Sequence, residues 1–138
     1  MNALDLKLCD IQGRLFELSG KKGMASISFI TAFMNSSVAE HLDAEYDRMQ
    51  WAGEEYLLEE LTDTVQFEKH GTVFANEVLY WTGYLYRYWN LMTRESSKKI
   101  LRQAPAKVMN TNYLMFHTMD PSMAVEDLKE MALQKKQN

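Results

Sequence analysis

A chain of 138 residues, 46% apolar and 25% charged, has the profile of one soluble globular domain long enough to bury its own core. Its formal net charge of −4 is the wrong sign for a dedicated nucleic-acid binder. One cysteine, Cys9, excludes an internal disulfide and points to a reducing cytoplasm, while a start holding Asp5 and Lys7 and the lack of any long apolar run exclude a signal peptide and a membrane span.

Leu4, Leu8, Ile11, Leu15 and Leu18 recur at steps of four and three, which predicts a first helix with one apolar stripe. Gly20 and Gly23 read as its stop. Gly13 lies inside the pattern, at a cost of about 1 kcal/mol against alanine, and a close helix crossing would explain it. Ser26 is placed to cap a short helix holding Ile27, Ile30, Phe33 and Met34. Ser36 or Ser37 is placed to cap the next, with Val38, Leu42 and then Tyr46 in register. A longer amphipathic helix is predicted from about Asp47 to Phe67, ended by His70-Gly71-Thr72. Its inner face would hold Trp51, Leu58, Leu61 and Val65, and Glu54 falls on that face as a misfit that calls for a basic partner or an irregularity at Gly53.

Between Tyr80 and Trp89, six of ten residues are aromatic: Tyr80, Trp81, Tyr84, Tyr86, Tyr88 and Trp89. A segment this rich in rings is normally covered by the rest of the chain or by a partner. As a helix over 72–92 it places Phe74, Val78, Trp81, Leu85, Tyr88 and Met92 on one face, with Leu79 and Tyr86 pointing away. As strands, 78–81 and 84–89 would flank a Thr82-Gly83 turn. The helix is preferred, because its neighbours read as helical and an isolated hairpin is marginal. Thr93 then caps a short basic helix through Gln103, Pro105 opens another with a break near Asn110 to Asn112, and Asp120-Pro121 marks the start of the last, with Val125, Leu128 and Ala132 inward and frayed final residues. The expected fold is all-α: a single domain over 1–138 of about six to eight helices, several short, around a central aromatic helix.

Charge is unevenly placed. Residues 40–68 hold ten acidic side chains against Arg48 alone, and residues 87–107 hold six basic ones (Arg87, Arg94, Lys98, Lys99, Arg102, Lys107) against Glu95 alone. The two segments either lie against each other or each faces a partner. No phosphate-binding glycine loop, metal-ligand cluster or nucleophile motif is present, so no cofactor or metal is implied. His41, His70 and His117 read as surface or packing residues, with His117 set to bond a carbonyl or the Asp120 cap. Glu55, Glu59 and Glu60 read as solvated helix positions, and Cys9 as an inert thiol.

The order Thr93-Arg94-Glu95-Ser96-Ser97-Lys98-Lys99-Ile100, then Tyr113-Leu114-Met115-Phe116-His117-Thr118-Met119-Asp120, then Ala124-Val125-Glu126-Asp127-Leu128 resembles small bacterial proteins of toxin–antitoxin-type cassettes, some beside ADP-ribosyltransferase-like toxins. The resemblance covers the C-terminal third, and the middle third loosely. It carries over no active site and implies a cytoplasmic, non-catalytic interaction protein of antitoxin, immunity or inhibitor type, its partner a toxin encoded nearby, with self-association open. Interface cores favour Tyr, Trp, Met and Arg, so Tyr80, Tyr86 and Arg87 are the candidates for display, joined by Arg94, Lys98, Lys99 and Arg102. Two alternatives stay open: a nucleic-acid-associated regulator using 87–107, and a small enzyme built on His117 or His41 with a helix-borne glutamate.

Overall fold

The computed structural model describes residues 1–45, 47–68 and 70–137. In chain order these form α1 (Ala3–Lys21), α2 (Ser26–Met34), α3 (Ser37–Asp43), a 3-10 turn (Arg48–Trp51), α4 (Glu54–Thr64), α5 (Asn76–Thr93), α6 (Ser97–Gln103), α7 (Ala106–Phe116) and α8 (Pro121–Gln137). The fold is all-α, and no strand occurs among the described residues. The hairpin alternative for 78–89 is excluded: those residues are one helix.

Local chemistry sets most boundaries. The Asn2 side chain accepts from the Asp5 amide at 2.8 Å and starts α1; Ser36 accepts from Ala39 to start α3, and Ser96 from Lys99 to start α6. Gly23, at φ 76°, turns the chain after α1 where a side chain would be strained. Asp120 accepts from the Ser122 amide and hydroxyl ahead of α8, with Pro121 as first helical residue.

α5 is the hub, packed on α1, α6, α7 and α8. It runs antiparallel to α1, with Gln12 beside Gly83 and Gly20 beside Leu79 and Asn76. Two glycines allow that approach. A Cβ on Gly83 would stand 2.5 Å from the Gln12 carbonyl oxygen, and one on Gly13 would stand 2.8 Å from the Tyr80 ring. The close crossing expected at Gly13 is present. Around this pair, Leu15, Phe16, Phe29, Ile30, Phe33, Leu57, Leu61, Leu79 and Trp89 are fully buried. Each such side chain contributes roughly 1.5–3 kcal/mol on leaving water, and Phe16 meets Phe29, Phe33 and Tyr86 edge-on at 5.4–6.1 Å.

Several expectations are corrected. The long helix over 47–67 is two elements broken at Ala52-Gly53, and α4 ends at Thr64 rather than at His70-Gly71-Thr72. Trp51 is consequently 74% exposed instead of inward. Glu54 is the first residue of α4 and sits at its positive dipole end; no ion pair involves it among the described residues. Ser26 is the first helical residue of α2 rather than its cap, and its hydroxyl accepts from the Phe74 amide at 2.8 Å, tying down the strap that leads into α5. Thr93 ends α5, with Arg94 left-handed at φ 64°, and Ser96 caps α6 in its place. α7 is unbroken through 110–112, and α8 continues to Gln137. Tyr46 lies outside the described residues.

Candidate functional site

The seven residues singled out from the sequence fall in three different places. Tyr86 and Arg87, expected at the surface, are 1% and 0% exposed. Of the face that apolar spacing indicates, Phe74, Val78 and Leu85 are buried, Trp81 and Tyr88 are half-buried and Met92 is exposed, while the side expected to point away, with Leu79, Thr82, Gly83, Tyr86, Arg87 and Asn90, is buried as well. Gly83 draws that side onto α1, and Arg87 is tolerated there because its charge is met. Its Nε donates to Gln12 Oε1 at 2.8 Å, and its Nη1 to Asp43 Oδ1 at 2.7 Å and Asn90 Oδ1 at 3.0 Å. Asp43 in turn accepts from the Ser97 amide and hydroxyl at 2.8 and 2.7 Å. Burial lowers the Arg87 pKa and the Asp43 carboxylate opposes it. This network links α1, α3, α5 and α6 and is structural. The Tyr86 hydroxyl donates to the Ala104 carbonyl at 2.5 Å.

The basic stretch 87–107 meets the acidic stretch 40–68 through Arg87–Asp43. Arg94, Lys98, Lys99, Arg102 and Lys107 are exposed, and of these Lys99 pairs with Glu95 at 3.5 Å. Glu95 is a second polar centre. Burial pushes its carboxyl up, but donations from Lys129, from Trp89 Nε1 at 3.1 Å and from Gln103 at 2.8 Å prevail and hold it at about 2. The Lys129 ammonium also lies 5.8 Å from the centroid of the Trp89 ring.

Two of the seven line concavities: Arg94 borders one with Leu4, Asp47, Arg48 and Trp51, and Tyr80 borders one walled by aromatic rings. A groove of about 460 Å³ runs between α1, α5, α7 and the start of α8, walled by Tyr80, Trp81, Tyr84, Leu85, Tyr113, His117, Met119 and Pro121, with Glu17 and Glu77 at its rim. Trp81 and Tyr113 stand perpendicular, 78° apart with centroids at 5.6 Å, and His117 stacks on Tyr113 at 4.2 Å. Tyr80 and Tyr84 form a tilted pair at 6.0 Å. The Tyr80 hydroxyl donates to Asp10; burial first, then that bond, raises its pKa, and burial likewise raises that of Tyr84. His117 Nδ1 donates to the Tyr113 carbonyl at 2.8 Å, as expected of a residue set to bond a carbonyl, although it is exposed. Trp81, Tyr84, Tyr113 and Glu77 were not candidates from sequence; the available signal was the i, i+4 spacing of Tyr113 and His117, which shares one helix face with the aromatic helix packed against it.

Among the described residues no group of three or more His, Cys, Asp or Glu is placed to hold a metal ion. The Cys9 thiol is fully buried, and desolvation pushes it to about 12, so it is no thiolate near neutral pH. Glu17 and Glu77 share the groove with His117, and neither is hydrogen-bonded to it. No described helix is long and apolar enough to cross a membrane. Comparison with known protein families, curated proteins and solved structures found no match to this chain.

Proposed function

We propose that the chain is a non-catalytic, cytoplasmic interaction protein of antitoxin, immunity or inhibitor type, and that it acts by holding a partner protein in the aromatic groove. The observation carrying this reading is that Tyr80, Trp81, Tyr84 and Tyr113 are left half-buried around an open concavity, although the interior has taken Tyr86, Trp89 and an arginine. Large rings with two rotatable bonds and a polar tip are what anchor protein interfaces at low entropic cost. Leu114 (83% exposed) and Met115 of α7 and Met123 of α8 are further apolar side chains left in water. Co-expression with the product of the neighbouring gene, followed by size-exclusion chromatography, tests it. A complex lost on Tyr84→Ala with Tyr113→Ala, at unchanged helicity, is the expected result; no complex, or one indifferent to both changes, overturns it.

A second reading has one observation in its favour: Arg94, Lys98, Arg102 and Lys107 are displayed without a carboxylate partner among the described residues. A regulator using them on nucleic acid would bind with an affinity that falls steeply as salt rises.

A further inference from the structure

We infer that the groove is built for a cation, and that what enters it is an arginine or lysine side chain on a basic segment of the partner; this rests on the protein-binding reading above and names the chemistry of the bound element. Two features of the groove agree on charge. The faces of aromatic rings carry negative quadrupole potential, and Tyr80, Trp81, Tyr84 and Tyr113 line the groove, with one face of Tyr113 covered by His117 at 4.2 Å. The rim supplies carboxylates and the lining holds no lysine or arginine. Glu17 is engaged by Lys21 at 3.1 Å, but Glu77 is exposed and in no ion pair among the described residues, so one full negative charge is left for an incoming group.

The scale of the whole molecule points the same way. The net charge is −4, and Glu40, Glu45, Glu55, Glu59, Asp63 and Glu68 are all exposed, a field that draws a basic partner in. The groove is open along one side, so a small free cation would keep much of its hydration there. A side chain delivered by a protein segment brings its alkyl stem onto Leu85, Met119 and Pro121 as its charged head meets the rings.

The test uses the full chain, isotope-labelled, with the indole N–H signals of Trp51, Trp81 and Trp89 as reporters. A short Arg- and Lys-rich peptide is expected to shift the Trp81 signal saturably, the same peptide with glutamates in place of its basic residues to leave it unmoved, and methylguanidine to move it only at far higher concentration. Glu77→Lys is expected to weaken the basic peptide about tenfold or more, and Asp63→Lys, the same charge change on exposed α4, to do so by much less; equal effects would reduce the site to general electrostatics and overturn the assignment. A Trp81 signal indifferent to the basic peptide, or methylguanidine saturating it as readily as the peptide does, overturns it too. Full partner binding by Glu77→Lys would sink the cation groove and leave the protein-binding reading intact. A basic peptide bound at Trp81 in a chain that forms no partner complex would sink that reading instead and leave the cation groove standing.

Discussion

Arg87 donates to Gln12, Asp43 and Asn90 with its side chain wholly out of water, so removing it strands the Asp43 carboxylate among groups that no longer neutralise it. Breaking one side of such a pair typically costs about 3–5 kcal/mol. Arg87→Met is therefore expected to lower the unfolding free energy measured in urea by that amount, and Arg87→Met with Asp43→Leu to regain a large part of it. Arg87→Glu would unfold the chain, which makes it useless as a probe of partner binding. Glu95 carries a pH dependence of definite sign. Its folded carboxyl lies near 2 against an ordinary value of 4.5, so its stabilising contribution is complete above about 4.5 and is lost as the pH falls from there towards 2. Urea unfolding followed from neutral pH downward is expected to show this loss in the native chain. In Glu95→Gln it is expected to be flatter, with a neutral-pH stability lower by about 1–3 kcal/mol.

At the scale of elements, the α1–α5 pair depends on the absence of side chains at the crossing. Gly83→Ala puts a methyl 2.5 Å from a backbone oxygen, an atom that cannot swing aside, so the helices must part and the packing of Phe16 loosens. A loss of about 1–3 kcal/mol is expected in thermal or urea unfolding. Gly53 is the contrast. Nothing lies within 4 Å of a Cβ there, and its extended backbone caps α4 without a side-chain acceptor, so Gly53→Ser should stabilise by a few tenths of a kcal/mol. Equal losses at both positions would mean the crossing is not what the glycine serves. The first was legible in the sequence at Gly13, a glycine out of place in a helix. Gly83 was legible only as a turn residue of the discarded hairpin, because nothing local says that Gln12 will lie against it.

Over the whole molecule, two surfaces compete for a role, and they are separable. Lys98→Glu with Arg102→Glu alters exposed side chains of α6 with no ion pair among the described residues, so stability should stay within about 0.5 kcal/mol. Under the proposed function the partner complex should survive that double reversal and fail on the groove variants; salt titration and size-exclusion chromatography of the same variants decide between them. The reverse pattern, with steep salt dependence, would favour the nucleic-acid reading. The sequence set Tyr86 and Arg87 on the exposed side of α5, and both are buried. Tyr86 and Arg87 have the composition of interface residues, but a buried ion pair takes Arg87 and the Ala104 carbonyl takes Tyr86.

What the sequence determined alone was periodic or local: the helical class, a serine cap for α3 at Ser36 or Ser37, the Asp120 cap, the start of α8 at Pro121, and a central helix too rich in rings to stand in water. These follow from spacing and from hydrogen bonds that span a few residues. That the Arg87 side of α5 is buried too was decided by partners 44 and 75 residues away, Asp43 and Gln12, that make a buried guanidinium tolerable. The groove has the same origin. Tyr80, Trp81 and Tyr84 become a binding wall only because α7 and α8 return to set Tyr113, His117 and Pro121 opposite them, and no window of the chain shorter than that return contains the site.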